Sequence, residues 1–173
     1  MSPYQAEPWH DFFLATAGAG AALAGLLFVA LSLHMRYIAT STVYRDMARG
    51  SVIGLVMALI LSLLVLVHQP LTWLALENIV AGAAYIVFVG GQQVVSLRKQ
   101  RWRIPGESAT RSVGAYALAA IGVAAGIGLA VQAGPGLYAV GAIVVAIILW
   151  SLWNAWTLVM GVADEEIEAE SRS

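Results

Sequence analysis

Apolar residues gather in five long blocks, at about residues 12–33, 51–67, 71–95, 113–131 and 137–160, separated by short polar connections. A surface helix of a soluble domain alternates its apolar stripe with a polar face. These blocks are apolar on all sides. About 20 such residues in a helix cross a hydrocarbon core of about 30 Å. The pattern therefore predicts an all-α integral membrane protein, a compact bundle of about five transmembrane helices occupying residues 12–160. Residues 1–11 form a short N-terminal segment and residues 161–173 an acidic tail.

Composition agrees. Hydrophobic residues make up 60% and charged residues 11% of the 173-residue chain, against about 45–50% and about 25% in soluble domains. No cysteine is present, so disulfides, thiolate metal sites and cysteine nucleophiles are excluded. The first block lacks a basic n-region and exceeds the usual h-region of about 7–15 residues, so it reads as a retained helix rather than a signal peptide.

Charge adds direction. Arg36, Arg45 and Arg49 lie between the first and second spans, and Arg98, Lys99, Arg101, Arg103 and Arg111 between the third and fourth. The ninth basic residue, Arg172, is in the tail. The connections 68–70 and 132–136 carry no Lys or Arg. Short basic loops stay cytoplasmic, which predicts an N-terminus outside and a C-terminus inside. The expected location is a multi-pass position in a bacterial cytoplasmic membrane.

Small residues set the expected packing. In the first span Gly18 stands four residues before Ala22, Gly20 before Ala24 and Ala21 before Gly25; the fourth contains Gly122, Gly126 and Gly128. Lipid does not press helices together, so close approach of backbones through small residues is a main source of association. The first and fourth spans are accordingly expected inside the bundle. The second, rich in Leu, Val and Ile, is the expected lipid-facing helix, with Thr40, Ser41 or Thr42 as its N-cap.

Candidate chemistry is sparse. Glu77 is the one acidic residue close to the interior of an apolar block, and an intramembrane carboxylate points to an ion path or a partner. Trp73, an interface residue, precedes it, so a water-facing carboxylate at the outer boundary is the competing reading. Asn78 points about 100° away from it. Gln92, Gln93, Gln132 and Asn154 sit near helix ends, where interhelical hydrogen bonds are their ordinary use. Arg98, Lys99, Arg101 and Arg103 are candidates for anionic lipid headgroups. Trp150, Trp153 and Trp156 form a stripe read as an interface belt, with a lipid-tail pocket as the minor alternative. His34 and His68 fall at opposite membrane faces and cannot share a haem; His10 and His68 are both expected outside and could meet, but nothing else supports a cofactor, so no haem, other cofactor or metal site is expected. No catalytic motif occurs, and an enzyme is not expected.

Two functions remain. The first is a homo-oligomeric ion channel or pore, with Gly18, Ala22 and Gly25 on its lining and Glu77 and Asn78 at its entrance, since carboxylate rings favour cations. The alternative is a non-conducting accessory or scaffold subunit, using Gly20, Ala24, Gly122, Gly126 and Gly128 for helix packing. The expected partners are the bilayer and either further copies of the chain or another membrane protein. Nucleic acid is not expected.

Overall fold

A computed structural model describes residues 3–98 and 105–171. Six helices follow a single 3-10 turn at Glu7–Trp9: α1 His10–Leu33, α2 Met35–Thr40, α3 Thr42–Leu66, α4 Leu71–Arg98, α5 Pro105–Ala130 and α6 Leu137–Ser171. No strand occurs among the described residues. Among the described residues, five helices are long and apolar enough to cross a membrane, over Glu7–Leu33, Thr42–Leu66, Leu71–Phe88, Val113–Ala130 and Leu137–Gly161. The chain has the character of an integral membrane protein.

Local chemistry explains the breaks. Pro8 falls at the start of the opening 3-10 turn, where a missing N–H costs nothing. α1 ends at His34, whose backbone leaves helical geometry (φ −105°, ψ 15°) while its Nδ1 pairs with the Ala30 carbonyl at 3.0 Å. Ser41, one of the three expected caps, takes the role for α3: its Oγ accepts the Tyr44 N–H at 3.5 Å. The Pro70 carbonyl accepts from Trp73 and Leu74, opening α4. Pro105 is the first residue of α5.

α5 closes with Gln132 in the left-handed region at φ 52°. The Gln132 N–H donates to Leu129 and the Ala133 N–H to Gly128, the paired bonds of a Schellman ending, at a position where glycine is usual. Gly136, at φ 55°, has no room for a side chain because a Cβ would overlap the Pro3 carbonyl. The same carbonyl accepts the Leu137 N–H at 2.8 Å. Tyr4 Oη donates to the Gly134 carbonyl at 2.7 Å, so two bonds hold the N-terminal segment on this turn.

α6, at 35 residues, is about 52 Å long. That exceeds a hydrocarbon core, and its apolar part stops at Gly161.

The chain forms two units. The first comprises residues 1–11 and 64–143 and the second residues 12–63 and 144–173. In the first, α4 and α5 pack antiparallel: a Cβ on Gly126 would stand 3.0 Å from the Ala75 carbonyl, and one on Gly82 3.1 Å from that of Ala119. In the second, α1 and α3 run antiparallel, with Gly20 against Leu55 and Leu59. α3 and α6 do likewise. Tyr44 Oη donates to the Gly161 carbonyl at 3.1 Å, Met47 and Ala48 share an apolar cluster with Leu158 and Ile38, and a Cβ on Gly54 would collide with Ser151 Oγ.

The expected burial order of the first two spans is reversed. The α3 span is 39% buried and the α1 span 22%. The physical reason lies in residues hidden among bulky neighbours. Ser51, Gly54, Ala58 and Ser62 recur three and four apart on α3, and Ser51, Ala58 and Ser62 are wholly buried. Serine behaves as a small residue here, letting α1 and α6 approach the α3 backbone.

Candidate functional site

Polar groups and small residues gather in three places, each within a single unit.

The first is the polar turn between α3 and α4. Gln69 Nε2 donates to Glu77 Oε2 at 2.8 Å and to the Leu64 carbonyl at 3.0 Å. Glu77 is half-buried and stands six residues into α4, about 9 Å along its axis. Its carboxylate is thus engaged by the connecting turn, and one amide ties the last turn of α3 to the second turn of α4. Asn78 is buried but turns to its own helix, donating from Nδ2 to the Leu74 carbonyl at 2.9 Å. The two neighbours therefore do not act on a common atom. Trp73 is exposed just before them, as an interface residue would be.

The second grouping is the packing surface of α4 and α5. Gly126 sits directly against Ala75 and Ile79, whereas a Cβ on Gly122 would meet no atom within 4 Å. The GxxxG pair thus does not act as a pair. Gly126 works instead with Ala119, seven residues away, and their partners Ala75 and Gly82 are also seven apart on α4. Gly128 is occupied locally, a Cβ there lying 2.9 Å from the Ala133 carbonyl in the turn.

The third is α1. Gly20 is buried and Ala24 half-buried, and Gly20 stands against Leu55 and Leu59 of α3. Thr16 Oγ1 and Ser62 Oγ lie 3.0 Å apart, while Ser62 also donates to the Ala58 carbonyl at 2.8 Å. Gly18, Ala22 and Gly25, by contrast, are exposed. A Cβ on Gly18 or Gly25 would meet nothing within 4 Å. The three fall at i, i+4 and i+7, within about 60° of one another around the helix. They make a smooth strip with no side chain beyond a methyl group.

Other sequence-selected residues fall outside these groupings. Asn154 is buried and donates to the Trp150 carbonyl of its own helix at 2.9 Å. Gln132 serves the turn through its backbone. His10 is exposed and its Nδ1 lies 3.3 Å from Asp11 Oδ1, and His68 is exposed. No cluster of three or more His, Asp or Glu suited to a metal ion occurs among the described residues. Lys99, Arg101 and Arg103, with the side chains of Gln92, Gln93 and Arg98, lie outside the described set.

Sequence reasoning missed Gln69 as the partner of Glu77. The eight-residue separation across a Pro turn was its only signal. The chain matches no family model, no curated protein and no solved structure.

Proposed function

We propose that this chain is a non-conducting assembly subunit of a membrane complex, joined to a second copy of itself through the strip Gly18, Ala22 and Gly25 on α1. The observation that carries the reading is the exposure of that strip beside a fully used Gly20 on the same helix. Small residues spaced by four permit close backbone contact, which is how helices associate in lipid. A bare glycine-alanine strip facing acyl chains forfeits that contact. The placement of the basic residues supports an orientation with the N-terminus outside and Arg36, Arg45 and Arg49 in the cytoplasm.

A channel would need a hydrated path and an ionic group free to meet ions. The Gln69 bond to Glu77 favours a structural clip over a selectivity ring.

The test combines oligomeric state with conductance. Wild-type protein in bilayers should self-associate, and Gly18→Leu with Ala22→Leu should weaken association about tenfold or more through overpacking. Liposomes carrying the assembled wild type should show no ion flux above that of empty liposomes. Cation flux lost in Glu77→Gln would replace this reading with the channel.

A further inference from the structure

An apolar groove of 610 Å³ opens between α1 and α6 in the second unit. Leu23, Leu26 and Ala30 form one wall, Leu149, Trp153 and Trp156 the other, and Leu55 of α3 the floor. Among the described residues no charged side chain lines it, and the only side-chain hydrogen-bonding groups are the tryptophan indoles. Leu149 and Val159, both lining residues, are ten residues apart, so the groove follows α6 for about 15 Å. That is half of a hydrocarbon core of about 30 Å, the depth of one leaflet.

Exposed arginines lie at the level of one end of the groove. Ala30 and Val159 line that end, and their chain neighbours Leu31 and Leu158 pack in one cluster with Ile38 of α2. Arg36 precedes Ile38 by two residues and is exposed. The bond from Tyr44 to Gly161 brings the start of α3 to the same level, with exposed Arg45 and Arg49. Among the described side chains, Asp46 is the exposed carboxylate beside them. The acidic residues at 164, 165, 166, 168 and 170 follow on α6, from about 4 to about 13 Å further along its axis than Gly161.

We infer that this groove holds one acyl chain of an anionic phospholipid, with the lipid phosphate at Arg36. The occupant follows from the match to a single leaflet and from the exposed arginines at the level where the apolar channel ends, since a guanidinium suits a phosphate by geometry as well as charge. This site is separate from the assembly strip, which lies on a different face of α1.

Tryptophan quenching by brominated lipid tests it. Full-length protein is reconstituted in vesicles of unbrominated phosphatidylcholine containing increasing dibromo-phosphatidylglycerol or, in parallel, dibromo-phosphatidylcholine. Bromine on an acyl chain in the groove quenches Trp153 and Trp156. The expected result is about a fivefold preference for the brominated phosphatidylglycerol, lost in Arg36→Gln and largely restored in Arg36→Lys. Ala30→Phe with Ala155→Leu, which fills the groove, should also remove the preference while helix content stays at the wild-type value. Equal quenching by both lipids in the wild type would overturn the inference. So would a preference that survives filling, or a groove-filling variant that loses self-association and thereby identifies a second copy as the occupant.

Discussion

Replacing Gly126 by alanine and replacing Gly122 by alanine should have unequal effects, although both belong to one GxxxG motif. At Gly126 the added methyl would lie 2.8 Å from Ile79 Cγ1, 3.0 Å from the Ala75 carbonyl and 3.1 Å from the Ile79 nitrogen. The Ile79 side chain can rotate away, but the two backbone atoms cannot. α4 and α5 must therefore separate by several tenths of an ångström, and overpacking of this kind costs about 1–3 kcal/mol. At Gly122 nothing stands within 4 Å, so the same methyl brings only the helix-propensity gain of about 1 kcal/mol. The propensity gain is common to both, so the variants should differ by the overpacking cost alone, about 1–3 kcal/mol, with G126A at or below the wild type and G122A above it. Gly82→Ala would strain the same interface, through the Ala119 carbonyl at 3.1 Å and Val123 Cγ2 at 2.8 Å. One separation of the helices relieves both sites, so G82A and G126A together should cost less than the sum. The assay is reversible unfolding of purified protein in mixed micelles at increasing denaturing-detergent fraction. Equal destabilisation by G122A and G126A would refute the register of this helix pair.

Three further outcomes follow from the described contacts. A double-mutant cycle on Thr16→Ala and Ser62→Ala should give a coupling of about 0.6 kcal/mol, and less than about 1.7 kcal/mol, the range for hydrogen bonds within membranes; zero coupling would detach α1 from α3 at this level. Tyr44→Phe should lower stability by about 0.5–1.5 kcal/mol, with faster hydrogen exchange at amides around Gly161, and unchanged exchange would deny the bond. Gln132→Gly should be neutral or stabilising by up to about 1 kcal/mol in the same unfolding assay, because the left-handed position costs glycine nothing sterically; clear destabilisation would mean the Gln132 side chain matters.

Length and polarity made the spans readable. An apolar block of about 20 residues has one stable form in lipid, because every backbone group must be bonded internally. α3 nevertheless begins at Thr42, nine residues before its apolar block, since Ser41 caps it and Arg45 and Arg49 can extend into water. α2 was not foreseen: six residues between His34 and Ser41 carry too little pattern, and the burial of Ile38 is what fixes them.

The order of packing was the least readable feature. Lipid and a protein interior are equally apolar, so a lipid-facing position and a buried one look alike in sequence, as exposed Ile60 and buried Leu61 illustrate. Small residues gave a partial guide. Gly20 and Gly126 stand against neighbouring helices, whereas Gly18 and Gly25 look the same in sequence and are bare. Gly54 and Ala58 were obscured by Leu, Ile and Val around them. The environment of Glu77 depended on the turn that delivers Gln69, and no periodicity specifies a turn partner.

The assembly role of α1 can be measured directly because the chain contains no cysteine. Single cysteines placed at Gly18, Ala22, Gly25 and, as an exposed control to one side of the strip, Phe28 would be oxidised in native membranes and the products sized. Disulfide-linked dimers are expected at positions 18, 22 and 25, with little at 28. Crosslinking that is equal at all four positions, or absent from all, would contradict the assembly reading.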